Sequence, residues 1–326
     1  MEQHSLSSSF SSSSLTADEE KKPESKQVQL IPPTKILYQD FWCSGRLLPN
    51  VISFQKHFQA LDQDIILASQ PKSGTTWLKA LIFSVVNRTR FTVSNTPLLT
   101  SNPHELIPFF EAQLYAEDEI PDFSTMPSPR LFSTHIPYAS LPESIKHSEC
   151  RIVYICRNPL DVIVSFWKFL IQFAPSTKVE DLAETWCNGE DGFGPFWNHV
   201  LGYWNESLKK PNRVFFLKYE DLKDDIVGNL KKLAVFIGFP FSMEEERQGV
   251  IEDISKLCSL NNLKNLEVNK NGKINFPKIR AGIEKKSYFR KGEVGDWVNH
   301  LNPSVVECLD RIIQEKLSGS GLTFKV

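Results

Sequence analysis

A short apolar run at residues 65–68 and a second strand-like run at residues 151–156, apolar after Arg151, are followed directly by segments with helical spacing of apolar residues. The first run ends at Pro71, Gly74 permits a tight turn, and a helix is predicted from Thr75 to about residue 88. The second runs into Arg157-Asn158-Pro159, where Asn158 is placed to cap a helix that Pro159 opens. Further strands are predicted at residues 130–134 and 213–217. Helices are predicted at residues 51–58, 103–110, 179–187, 195–209 and 303–317, at Tyr219, and at Ser242, where Glu245 completes a capping box. Residues 265–295 are polar, rich in Gly and Lys and weakly periodic, which predicts a long loop. Strands alternating with helices predict an α/β fold with a mostly parallel central sheet covered by helices on both faces. Ligands of such sheets sit at the carboxyl ends of the strands, so Lys72, His135, Arg157 and Tyr219 are expected on one rim.

The ends of the chain differ in kind. Residues 1 to about 30 are a Ser-rich stretch followed by charged residues, too polar to order themselves, and a disordered tail is expected. The acidic cluster Asp18-Glu19-Glu20 argues against a chloroplast transit peptide there. Residues 37–326 are expected to form a single domain. A net charge of −2 supplies no global field for nucleic acid or an anionic membrane, so any anion site must be local. No apolar run reaches transmembrane length. The six cysteines are scattered without metal-site spacing, which suits reduced thiols in the cytosol and no bound metal.

The stretch Pro71-Lys72-Ser73-Gly74-Thr75-Thr76-Trp77 is where a local anion site is expected. A strand feeding a helix N-terminus offers backbone N–H groups without intrahelical partners, and the helix dipole favours negative charge there. Lys72 adds a cation, and Ser73, Thr75 and Thr76 add hydroxyls. It is not a nucleotide-binding P-loop, because Lys precedes a single Gly and Trp77 closes the turn. His135 follows a predicted strand and precedes Pro137. It is a candidate general base, whereas His104, His199 and His300 are read as ordinary core or surface histidines.

Together with Ser133-Thr-His135, Arg157-Asn-Pro…Ser165, Tyr219-Glu-Asp and Arg290-Lys291-Gly292, that stretch resembles, in kind and order, the motifs of cytosolic sulfotransferases. The resemblance spans about residues 37–326, and Phe193-Gly-Pro-Phe-Trp197 and Gly319-Ser-Gly-Leu-Thr-Phe324 are similar to the plant branch. It implies transfer of a sulfonate group from 3′-phosphoadenylyl sulfate (PAPS) to a hydroxyl of a small metabolite, leaving 3′,5′-ADP. Lys72, Ser73, Gly74, Thr75 and Thr76 would hold the 5′-phosphosulfate, with Lys72 charging the leaving oxygen and Trp77 stacking on adenine. Arg157, Ser165, Arg290, Lys291 and Gly292 would hold the 3′-phosphate, Tyr219 would contact the nucleotide, and His135 would be the base.

Two positions depart from the family pattern. Many animal members carry a lysine where this chain has Ser133, so Lys72 is expected to supply most of the side-chain charge near the leaving oxygen. Leu260 stands where an aromatic residue usually faces adenine. The dimer motif of animal members is not evident near residues 265–300, which points to a monomer. A phosphotransferase of the P-loop kinase type would need a differently placed lysine and a magnesium-binding carboxylate. A catalytically silent nucleotide-binding protein would not need Lys72, His135 and Ser165 together. Phe54-Gln-Lys-His-Phe-Gln59 and residues 193–204 resemble hydroxyjasmonate sulfotransferases most. Flavonoid, steroid and desulfoglucosinolate sulfotransferases share nearly every motif.

Overall fold

The computed structural model describes Met1 and residues 34–117, 119–277 and 279–325. The expected tail at residues 1 to about 30 lies, Met1 apart, outside the described residues. The chain from residue 34 opens with a hairpin, β1 (Lys35–Tyr38) and β2 (Phe41–Ser44), turned at Gln39 and Asp40, whose φ angles of 47° and 63° are both left-handed. Helix Leu48–His57 then leads to the central sheet.

That sheet has four parallel strands in the order β4-β3-β5-β6: β3 (Ile65–Ser69), β4 (Leu131–Thr134), β5 (Arg151–Cys156) and β6 (Val214–Lys218). All are mutually parallel, and Ala68 pairs with Thr134 on one side and Tyr154 on the other. Side chains of a strand alternate between faces, so a sheet covered on both faces needs continuous apolar runs. Ile66, Ala68, Phe132, Ile152 and Tyr154 pack with Phe54, Phe58 and Tyr203 in one core layer. Ile65, Leu67, Leu131, Val153 and Ile155 pack with Leu78, Leu81 and Leu230 in the other. The fold is therefore the expected α/β arrangement, with helices on both faces of a parallel sheet.

Most predicted elements form within a residue or so of their expected bounds, among them helices Thr75–Asn87, Val179–Cys187 and Pro303–Leu317. Two segments differ. Residues 103–110, expected as one helix, form a single turn, Pro103–Leu106, closed by a capping box between Asn102 and Glu105. Phe109 then bridges to Ser133 as an extended residue, and a π-helical turn follows at Phe110–Leu114. Ile107, which precedes Pro108, is extended and ends the turn, and pairing with the sheet edge outweighs helical propensity at Phe109. Residues 265–295, expected as an irregular loop, contain helix Glu267–Lys270 and an antiparallel hairpin, β7 (Lys273–Phe276) and β8 (Ile279–Glu284). The alternation of Ile274 and Phe276 buries both against Ile283 and Phe109 in a small third core.

Candidate active site

Residues that follow the carboxyl ends of β3, β4, β5 and β6 (Lys72, His135, Arg157 and Tyr219) line one cavity of about 560 Å³. Its wall also includes Gly74, Thr75, Thr76, Trp77, Ser165, Arg290 and Gly292 from the anticipated set, and His104 from outside it. Ser73 is fully buried behind the turn, and Lys291 lies outside the wall with its ammonium on Asp296 at 2.7 Å.

The cradle between β3 and its helix is held in an unusual backbone shape. Lys72 has φ +69° and Gly74 has φ +108°, and a Cβ at Gly74 would stand 2.8 Å from the Tyr219 ring. Thr75 hydrogen-bonds Ser69 (2.7 Å between hydroxyls), Thr76 Oγ1 lies 2.8 Å from His104 Nε2, and buried Ser73 Oγ has no partner among the described residues. The Lys72 ammonium stands 4.2 Å from the centre of the Phe169 ring. Burial, then Arg290, then Arg157 pull its pKa down to about 7. Arg157 and Arg290 thus converge on Lys72, and among the described residues Nε of both arginines is buried without a partner.

The second half of the site is assembled by carboxylates that the sequence reading did not single out. Buried Asp161 accepts from the backbone N–H groups of Gly295 (2.9 Å) and Trp297 (3.2 Å) and meets Arg157 Nη2 at 3.2 Å. Asp296 binds both Arg290 and Lys291; despite the cost of burial, these bonds hold its carboxyl well below the usual range. Tyr219 locks the two halves together. Its hydroxyl donates to the Gly292 carbonyl (2.9 Å), Arg157 lies over its ring (4.6 Å), and Trp77 meets that ring edge-on. Leu260 lines the cavity beside Gly292.

His135 has a defined tautomer. Its Nδ1 lies 2.7 Å from the Ser69 carbonyl, which can only accept, so Nδ1 carries the proton and Nε2 is bare. Burial is the main reason its pKa falls to about 3; the Ser69 bond opposes that fall, and Lys79, His199 and Lys72 add to it. The His135 backbone is clamped on both sides. Its N–H donates to Glu111 Oε1 (2.8 Å), and its carbonyl accepts from His199 Nε2 (2.9 Å). Glu111, on the π-helical turn, also accepts from Thr134 Oγ1 (3.0 Å). The sequence signal for Glu111 and His199 was absent, because both act on a backbone distant in the chain. Ser133 does not reach the cavity; its hydroxyl donates to the Pro108 carbonyl at 3.0 Å.

The rest of the wall is mostly apolar, with Leu47, Phe109, Phe166, Phe276 and Ile283, and also carries Lys168, Gln172, Lys286 and Ser287. An anion-holding end, a neutral base and an apolar chamber together can place a small hydroxylated molecule against an activated anionic group.

A sulfotransferase domain family matches residues 62–321. The chain is 52% identical to cytosolic sulfotransferase 15 of Arabidopsis thaliana, over 89% of this chain and 82% of that protein. It is 50% identical to cytosolic sulfotransferase 14 of the same plant, over 89% and 85%. Among solved structures, mouse sulfotransferase SULT7A1 complexed with PAP superposes with a TM-score of 0.65 at 29% identity, covering 88% of this chain and 95% of the mouse chain. An Arabidopsis thaliana protein described as a steroid sulphotransferase superposes with a TM-score of 0.70 at 41% identity, covering 89% of each chain. The chain therefore belongs to the sulfotransferase family and, within it, to the cytosolic sulfotransferases of plants.

Proposed function

We propose that this sulfotransferase takes its sulfonate group from PAPS and delivers it to a hydroxyl of a small plant metabolite in the cytosol, acting as a monomer. The observation that carries the reading is the bare Nε2 of His135 on the wall it shares with Lys72 and the anion cradle. The mouse structure complexed with PAP supports a nucleotide of that kind at this site, and the names of the relatives support the cytosol.

The acceptor oxygen attacks sulfur and passes its proton to His135 Nε2. As the new S–O bond forms, the bond from sulfur to the bridging oxygen breaks, and its electron pair stays with the 5′-phosphate of 3′,5′-ADP. Lys72, the N–H groups at the start of helix Thr75–Asn87 and the hydroxyls of Thr75 and Thr76 stabilise that developing charge. A preorganised donor of this kind is worth about 10²–10³ in rate. Arg157, Ser165, Arg290, Lys291 and the backbone at Gly292 hold the 3′-phosphate, Lys291 by steadying Asp296. Tyr219 braces the nucleotide site, and Trp77 with Leu260 contacts adenine. Hydroxyjasmonate is the first acceptor we propose, with flavonoid, steroid and desulfoglucosinolate acceptors as alternatives; the apolar chamber suits any of these.

The test is thermal stabilisation by 3′,5′-ADP against ATP with magnesium, followed by sulfonate transfer from PAPS to a panel of these acceptors. Stabilisation by 3′,5′-ADP, and transfer lost by at least 10²-fold in His135→Ala with 3′,5′-ADP binding retained, is expected. Stabilisation by ATP with magnesium alone would sink the donor assignment, and unchanged turnover in His135→Ala would sink the base.

A further inference from the structure

Lys79 sits one turn beyond the cradle on helix Thr75–Asn87 and is completely buried. A lysine on the core side of a helix needs a reason, because burying its charge is expensive unless partners meet it. Its ammonium lies 3.0 Å from His104 Nδ1 and 3.5 Å from the centre of the Phe109 ring. His104, only 2% exposed, reaches with its other nitrogen to Thr76 Oγ1 at 2.8 Å. An unbroken line of contacts therefore runs from a buried amine to a hydroxyl on the cavity wall.

We infer that Lys79 and His104 are positioning residues that fix the hydroxyl proton of Thr76 toward the anion in the cradle. The inference rests on the sulfonate-transfer reading. It assigns to the rear of the cradle part of the donor strength that Ser133 does not provide at the front.

The Lys79 amine has N–H bonds to give in either charge state; in the arrangement inferred, one goes to His104 Nδ1 and another to the face of Phe109. Burial holds the Lys79 pKa well below its usual value, and the nearby Glu111 carboxylate opposes that fall. With Nδ1 accepting, the neutral ring carries its proton on Nε2, and burial first and then Lys79 hold the ring neutral. Nε2–H then donates to Thr76 Oγ1. The hydroxyl's own proton has no acceptor among the described residues, and Thr76 lines the cavity. A hydroxyl that accepts from one side is a stronger donor on the other, because consecutive hydrogen bonds polarise one another. His104 is held for this on both faces, against Phe109 and at 4.2 Å from the Tyr288 ring, while the Asn102–Glu105 capping box fixes the short helix that carries it.

The test is a mutant cycle in kcat/KM for PAPS. Lys79→Met is expected to cost about tenfold in the wild-type background and in Thr76→Ser, which keeps the hydroxyl, but less than twofold in Thr76→Val, which lacks it. A merely structural role would cost the same in all three backgrounds, and that result, or a loss below twofold in wild type, overturns the inference. If Lys79→Met does not fold, His104 carries the test. His104→Gln, whose amide can donate to Thr76, should retain several-fold more activity than His104→Leu, and equal losses overturn the inference. Histidine ¹⁵N spectra of the wild-type protein, assigned with His104→Gln, should show His104 protonated on Nε2 only; protonation on Nδ1 overturns it. That spectrum needs no turnover, so the expected tautomer in a protein that transfers no sulfonate would sink the sulfonate-transfer reading and leave the line of contacts standing.

Discussion

Lys72 gives the site a proton linkage that can be measured without turnover. With its pKa near 7, the ammonium is about nine-tenths deprotonated at pH 8 in the ligand-free protein. A bound 3′,5′-ADP brings phosphate charge beside Lys72, which offsets the burial that mainly lowers its pKa as well as the repulsion from Arg290 and Arg157, and returns Lys72 toward its ordinary 10.5. Binding at pH 8 should therefore take up about 0.9 proton, falling to about 0.5 at pH 7, and the dissociation constant should rise about tenfold per pH unit above 8. The ligand does not confuse the result at pH 8, because a phosphate monoester with its second pKa near 6 is already fully ionised. Isothermal titration in HEPES and in Tris at one pH separates proton uptake from intrinsic heat. In Lys72→Met the uptake should vanish and the affinity should become nearly flat with pH. Uptake below about 0.2 proton at pH 8 would refute the reasoning, and so would uptake that survives Lys72→Met. The sign for stability follows from the same shift. Between pH 7 and 10.5 the unfolded chain binds more protons at this position than the folded one, so the Lys72 contribution to stability rises with pH across that window.

Two further outcomes follow from the clamps around the site. Gly292 has φ +66°, and a Cβ there would stand 2.4 Å from Leu260 Cδ2, so Gly292→Ala should weaken 3′,5′-ADP binding at least tenfold while costing about 1–3 kcal/mol of stability; titration calorimetry and denaturant unfolding read the two, and unchanged affinity would remove Gly292 from the 3′-phosphate site. Glu111 is 1% exposed and accepts from both the His135 N–H and the Thr134 hydroxyl, so Glu111→Gln should cost about 1–3 kcal/mol by turning a donor toward donors. Unfolding in urea measures this, and a loss below about 0.5 kcal/mol would show that the π-helical turn, rather than the carboxylate, holds the His135 backbone.

What the sequence made legible, and what it hid, divide along a physical line. The central sheet was legible because residues 65–68 and 151–156 are apolar on both faces, and that pattern has one economical solution, a parallel strand between helical layers. Lys72, His135, Arg157 and Tyr219 were legible as a group because each follows a strand, and parallel strands bring their carboxyl ends to one rim whatever their separation in the chain. The hairpin β7–β8 was hidden because its alternation covers only Ile274 and Phe276 on one strand, and the partner that buries them, Phe109, lies more than 160 residues earlier. Lys79 and His104 were hidden for a different reason. Lys79 drew no reading from the sequence, because its meaning depends on His104, which was read as an ordinary core or surface histidine and arrives from a short, locally capped helix in contact with Tyr288. Asp161, Asp296 and Glu111 act on backbone N–H groups or cations contributed by other segments, and such bonds leave no periodic trace. The residues expected to meet the ligand thus announce themselves by position at strand ends, while the residues that hold them in place can be found only once the distant segments are seen together. Ser133 shows why this matters for the chemistry. Judged from the motif alone its position had lost a cation, yet a buried lysine, Lys79, reaches the cradle through His104, where no motif includes it.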